Sequence, residues 1–195
     1  MAGKFSCAKL LFLLLPLVVG CPASEVPKDP TGLGLAEEPQ AGTPETNLER
    51  LRWRLPPLPP AIGTYVPAVR TGNLLFVSGQ LPMRDGNLVA VGRVGDTVTE
   101  VQAKEAMRVA TLNALAVIRT ELGSLNRVRR VVRVVGYVAC TPEFGNQPQV
   151  VNAASEMFLQ LFGRQRGSHA RLALGAASLP KNSPVELEVI VEVER

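Results

Sequence analysis

Aromatic residues make up only 5% of this 195-residue chain, and it contains one histidine, His169, and three cysteines. A single histidine with scattered cysteines leaves no cluster at metal-ligand spacing, so no metal site is expected. Cys7 and Cys21 lie at the front, which leaves Cys140 alone in the body of the chain and excludes an internal disulfide there. Cys140 follows an apolar strand pattern and reads as a buried small hydrophobe rather than a nucleophile. No apolar run reaches the ~20 residues that a membrane-spanning helix requires, and no internal repeat is visible. What is there is 46% hydrophobic and 19% charged, an ordinary globular balance with room for one domain and something more.

The additional part lies at the front. Lys4 and Lys9 precede an apolar run from Leu10 to Val19, broken only by Pro16, and Gly20 comes just before Cys21. A basic start, about ten apolar residues and a small-residue exit predict a secretory signal over residues 1–20. Val18-Val19-Gly20-Cys21 resembles a bacterial lipobox. That resemblance implies lipidation at Cys21, with the exported protein held at a membrane surface of the cell envelope, periplasmic or outer. Plain secretion or an uncleaved anchor, with Cys21 an incidental residue, is the alternative. Residues 21–48 are rich in Pro, Gly, Glu and Thr, with one lysine against five acidic residues. Such a segment buries too little surface to offset its ordering entropy and predicts a disordered tether. Residues 49–195 carry 18 basic and 12 acidic residues, a net of +6, and form the predicted domain.

Within that domain the patterns alternate between strand and helix. Residues 66–71 and 74–80 predict two strands joined by a turn at Gly72-Asn73. Asp85-Gly86-Asn87 predicts another turn before a short strand at 88–91. A helix is expected from Thr97, with Glu100 completing a capping box, and Gly123 ends it. Ala103, Ala106, Ala110, Ala114 and Val117 give that helix a small apolar face. Residues 128–139, with valines at many positions, predict an interior strand. A second helix is expected over 148–162, stopping at Gly163, and then closing strands over 170–177 and 185–193. The fold class is α+β: a single mixed sheet with a hairpin at each end and two helices on one face. The other face needs a cover, which favours an oligomer.

The strand around Arg171 carries the chemistry. Period-2 alternation, with leucines assigned to the core, places Leu172 and Leu174 under the helices and Arg171, Ala173 and Gly175 on the opposite face. Small neighbours leave room beside a guanidinium, whose planar fork matches a carboxylate. In the last strand Glu186, Glu188, Glu192 and Glu194 share a side. If the last two strands pair, Glu186 lies on the same side of the sheet as Arg171. Taken by itself, the pattern also fits a solvated strand face with an ion pair.

Three stretches are similar to the RidA/YjgF superfamily: PPAIGTYVPAVRTGNLLFVSGQLP over residues 59–82, VVNAASEMFLQLFG over 150–163, and HARLALGAASLPKNSPVELEVIVEVE over 169–194. The first of these is similar to a RidA-like branch distinct from the best-studied imine deaminases. The resemblance implies a chorismate-mutase-like fold in a homotrimer, with sites in clefts between subunits. It also implies substrate-binding roles for Tyr65, Ser78, Asn152 and Arg171, with Arg171 holding a substrate carboxylate and Glu186 positioning or activating water. The implied chemistry is hydrolysis of 2-imino and enamine acids to 2-keto acids and ammonia. It needs no cofactor or metal, because an imine carbon is already electrophilic and orientation with proton supply suffices. A cysteine frequent in the family two residues after the arginine is Ala173 here, and one extra residue separates Leu179-Pro180 from Glu186.

Two alternatives accompany this reading. One is a non-catalytic module of the cell envelope that binds a small carboxylate in the same cleft. The other, much weaker, is an endoribonuclease or RNA binder resting on Arg127, Arg129, Arg130 and Arg133. Their alternation divides them between faces and no stacking aromatics accompany them, which argues against nucleic acid. His169 could tune the pocket or move a proton, although a lone histidine is more often structural. Trp53 reads as packing the chain onto the domain.

Overall fold

A computed structural model describes residues 42–57 and 63–195. The predicted signal, Cys21 and most of the tether fall outside that range, as do residues 59–62 of the first family-like stretch. The tether prediction fails at its end, because residues 44–50 form a helix, α1 (Pro44–Arg50). Thr43 caps it and Pro44 opens it, a position where a missing N–H is harmless. Glu45 then docks the helix on the domain. Its carboxylate accepts the Leu125 N–H at 2.8 Å and the Ser124 hydroxyl at 3.3 Å, and pairs with Arg119 at 3.2 Å. Leu48 is buried, and Trp53 packs against the core as expected.

The remaining elements are β1 (Ala68–Thr71), β2 (Leu74–Gln80), a small hairpin of β3 (Met83–Arg84) and β4 (Asn87–Leu88), α2 (Glu100–Leu122), β5 (Val128–Ala139), α3 (Gln147–Gly167), β6 (Ala170–Ala176) and β7 (Val185–Val193). Helix α2 starts two residues later than expected. Thr99 and Gln102, rather than Thr97 and Glu100, make the reciprocal cap, and Gly123 closes the helix in the left-handed region. Gly163, at φ 72°, interrupts α3 where its stop was predicted, and further helical turn follows to Gly167. Only glycine takes that conformation without strain.

The main sheet is mixed, with strand order β1-β2-β7-β5-β6. This corrects the expected closing hairpin. Strand β5 lies between β6 and β7, parallel to the first and antiparallel to the second. Helices α2 and α3 cover one face. Val185, Leu187, Val189, Val191 and Val193 of β7 all point into that interface and are fully buried. The helical alanines 103, 106, 110 and 114 are likewise at 0% exposure, so α2 sits close on the sheet. Gly136 plays the same part under α3, since a methyl group there would collide with Val151. Among the described residues no helix lies over the opposite face. Phe76, Leu172 and Leu174 remain about 40% exposed there.

Candidate functional site

The register decides which predicted site residues can meet. Arg171 aligns with Val134, which aligns with Val189, and both valines are fully buried beneath the helices. Arg171 therefore belongs to the helix-covered side, not the open one as the alternation predicted. Ala173 packs against the core on that side, and Gly175 faces Gln147 and Cys140. Leu172 and Leu174 take the open face. The physical reason is steric: α3 lies so close over Gly136 that only small residues fit beneath its flank at 173 and 175. The leucines are left for the side without helices.

Because β6 is an edge strand, the Arg171 side chain reaches the rim and bends toward α3. Its Nη1 donates to Asn152 Oδ1 at 2.6 Å and to Ser155 Oγ at 3.1 Å. Asn152 Nδ2 in turn donates to Gln149 Oε1 at 3.2 Å, which turns the Asn152 oxygen toward the arginine. One edge of the guanidinium is thus tied to α3. The arginine is exposed. Its free N–H groups have the planar geometry that grips a carboxylate.

Glu186 lies elsewhere. It shares a row with Tyr137 and Leu174, on the open face. Arg171 and Glu186 are therefore on opposite faces of the sheet, with β5 between their strands, and the expectation that they share a side is overturned. The Glu186 carboxylate leans across β2 onto Gly79, where a side chain would collide with it. Gly79 sits in a bulge between Val77 and Gln80. Neighbouring Ser78 donates its hydroxyl to the Val66 carbonyl at 2.8 Å, holding the Tyr65-Val66 segment against β2. The buried Asn113 amide fixes the exit from the bulge by donating to Leu81 and Met83 carbonyls at 2.8 and 3.0 Å. Burial first, and the nearby charge of Glu188 second, push the Glu186 carboxyl above the usual range.

The predicted residues thus form two groups. Arg171 and Asn152 meet at one rim. Ser78 and Glu186 lie at the β2 bulge, and Tyr65 is on the segment that Ser78 ties beside it. Three strand spacings separate β2 from β6, about 14 Å across the sheet. Gly79, Ser155 and Gln149 are site components that the sequence reading missed. Gly79 lies inside the VSGQLP stretch but carries no functional group, and Ser155 was signalled only by its helical spacing from Asn152.

Cys140 is buried, as predicted for a small hydrophobe. Arg127 donates to the Leu122 carbonyl at 3.1 Å, while Arg129, Arg130 and Arg133 are exposed.

A family model described as "YjgF/chorismate_mutase-like, putative endoribonuclease" matches residues 45–193. The chain belongs to the YjgF/chorismate-mutase-like family. Among its relatives is Protein TCP17 of Trypanosoma cruzi, 37% identical over 153 residues, covering 78% of this chain and 96% of that protein. Another is the 2-iminobutanoate/2-iminopropanoate deaminase of Dermatophagoides farinae, 32% identical over 139 residues, 71% of this chain and 93% of that one. The crystal structure of Atu1372 of Agrobacterium tumefaciens, a protein of unknown function, matches with a TM-score of 0.72 and 41% identity, over 77% of this chain and 92% of that one. The chorismate-mutase-like YjgF fold expected from the sequence is the fold found.

Proposed function

We propose that this YjgF-family chain hydrolyses small 2-imino and enamine acids to 2-keto acids and ammonia, in clefts between the protomers of a homotrimer. The observation that carries the reading is the division of the site. Arg171 is held at one rim with its fork free, and Glu186 is held on the open face with its carboxyl pushed up. A second copy covering the open face buries Phe76, Leu172 and Leu174 and brings one protomer's Arg171 to its neighbour's Glu186. The kinship with an imine deaminase supports the same chemistry.

In that cleft Arg171 and Asn152 hold the substrate carboxylate, which places the adjacent imine carbon toward the neighbour's Glu186, with Tyr65 and Ser78 beside it. Glu186 takes a proton from water as the water oxygen bonds to the imine carbon. That proton passes to nitrogen, giving a carbinolamine; Glu186 then takes the new hydroxyl's proton and delivers it to nitrogen, the C–N bond breaks, and ammonia leaves as the carbonyl forms. A carboxyl whose proton affinity is raised by burial suits both halves of this transfer. Orientation supplies much of the remaining gain.

The test uses the full-length chain with an amino-acid oxidase that generates imino acids. Faster keto-acid and ammonia formation is expected. Arg171→Ala should lower kcat/KM by two to three orders of magnitude, roughly the loss of a bidentate charge-assisted pair. Mixing Arg171→Ala and Glu186→Gln chains before assembly should restore about a quarter of the sites, because complementary protomers then meet in a closed ring. Binding of a keto acid without turnover would instead identify a carboxylate-binding module. RNA cleavage lost with the arginines of β5 would sink the imine reading. The lipid anchor is a separate proposal: a fatty-acid label is expected on the native chain and none on Cys21→Ala.

A further inference from the structure

The rim around Arg171 contains a second layer that the deaminase reading does not use. Gln149, Asn152, Ser155 and Phe158 recur every three residues along α3 and form one stripe. Facing it, His169 and Arg171 lie two residues apart and share a side of the chain entering β6. His169 Nδ1 lies 2.6 Å from the Gly167 carbonyl oxygen. A carbonyl can only accept, so Nδ1 carries the hydrogen, and Nε2 of the neutral ring is left as an acceptor. Nε2 lies 3.0 Å from Ser155 Oγ, so the hydroxyl donates to the ring. The Ser155 oxygen then keeps its lone pairs for Arg171 Nη1, at 3.1 Å.

Every donor in this series meets an acceptor, and the polarity runs one way, from guanidinium through hydroxyl and imidazole to the Gly167 carbonyl. The ring plane is held by Phe158, edge-on at a centroid distance of 5.9 Å and an interplanar angle of 80°. Burial lowers the affinity of the imidazole for a second proton. The Gly167 bond opposes that and the Arg171 charge adds to it, the net being a pKa below the usual histidine value.

We infer that His169 is a positioning residue for Arg171, acting through Ser155: its Nε2 lone pair fixes the hydroxyl so that the oxygen faces the guanidinium. The fork is then presented to the incoming carboxylate in one orientation. This rests on the clamp reading of Arg171 and deepens it. Acting through Ser155 and Arg171, His169 governs affinity rather than the chemical step.

Two variants separate the acceptor from the packing. His169→Phe keeps a ring against Phe158 and removes the acceptor. His169→Gln gives up the ring and offers an amide oxygen near the Nε2 position. With the full-length chain, 2-ketobutanoate binding is followed by calorimetry and imine hydrolysis by keto-acid release. His169→Phe should raise Kd and KM about tenfold with kcat within about twofold, and His169→Gln should recover most of that loss. Since the chain has a single histidine, nitrogen-15 NMR reads its tautomer directly, and the Nδ1–H form is expected. An Nε2–H tautomer, an unchanged Kd in His169→Phe, or a His169→Gln variant as weak as His169→Phe would each overturn the relay. Arg171→Ala binding 2-ketobutanoate as tightly as the native chain overturns the clamp itself, an outcome distinct from these because the tautomer is read without ligand.

Discussion

On the helix-covered face of the sheet β7 presents Val185, Leu187, Val189, Val191 and Val193, all fully buried, whereas on the other face the same strand presents Glu186, Glu188, Ile190 and Glu192, each half-buried. The first face is dry and needs only shape and volume. The second mixes carboxylates with large apolar side chains from other strands, Phe76, Leu172 and Leu174. A surface meant for water would not carry those leucines beside one another on an edge strand. A surface meant for a core would not carry glutamates. The combination fits a face that is covered by another protomer and keeps a working carboxylate within reach of a cleft.

The largest effect is expected from making that second face purely polar. Leu172→Glu with Leu174→Glu adds negative charge beside Glu186 and Glu188, and like charges brought together in an interface oppose association. Under the proposed assembly, sedimentation should show the native chain as an oligomer and this variant as a monomer. The proposed imine hydrolysis should fall by at least ~100-fold, since each inter-subunit site would lose half its residues. Circular dichroism should stay native, because both leucines are already about 40% exposed in the protomer. An intact oligomer with full activity would show that the open face is not the interface.

The covered face is broken by volume instead of charge. Gly136→Ala places a methyl group against Val151, a branched side chain on a helix that cannot easily withdraw. Overpacking of this kind costs about 1–3 kcal/mol. Chemical denaturation should show a lower midpoint, with catalytic constants per folded site little changed. The contrast with the leucine variant, stability lost on one face and assembly on the other, sharpens the distinction between them.

Much of this architecture was legible in the residues. Strands β2, β5 and β7 run over the predicted 74–80, 128–139 and 185–193, because valine-rich runs closed by turn residues have few other places to go. Gly123 closes α2 and Gly163 kinks α3 for an equally local reason, a positive φ that glycine adopts freely. The two faces of β6 were not legible. Period-2 alternation says that Arg171 and Leu172 point opposite ways, but not which of them meets α3. That choice depends on Gly136, a residue on another strand. The pairing of β6 with β5 is likewise a tertiary fact, invisible to spacing. The choice has a functional consequence, since the register puts Arg171 and Glu186 on opposite faces of the sheet, and the proposed function needs a second protomer to bring them together.

A smaller effect comes from Gly79→Ala, on the open face. The atom in its way is the end of a flexible glutamate rather than backbone, so the carboxylate can swing aside and the fold should hold to within about 1 kcal/mol. Displacing Glu186 should lower kcat about tenfold with little change in the Kd of 2-ketobutanoate, which depends on Arg171. Loss of keto-acid affinity instead would mean that the bulge shapes the carboxylate end of the cleft.

The smallest effect tests whether Glu186 is held at a cost. Burial and Glu188 raise its pKa in the folded chain above the ordinary 4.5. The folded state therefore keeps a proton that the unfolded state has already lost. Stability from this group must fall as pH rises from the unfolded value through the folded one, and stay reduced above it. Glu186→Gln, which cannot ionise, should be more stable than the native chain at pH 7, and the difference should vanish below the unfolded pKa. His169 produces a slope of opposite sign: its lowered pKa makes stability fall as pH drops below the usual histidine value of 6.5. Both variants retain His169, so its contribution cancels when native and Glu186→Gln denaturation curves are subtracted at each pH. A difference that is the same at pH 4 and pH 8 would mean that the open face leaves this carboxylate as well solvated as an unfolded chain does, and the contrast between the two faces would lose its electrostatic half.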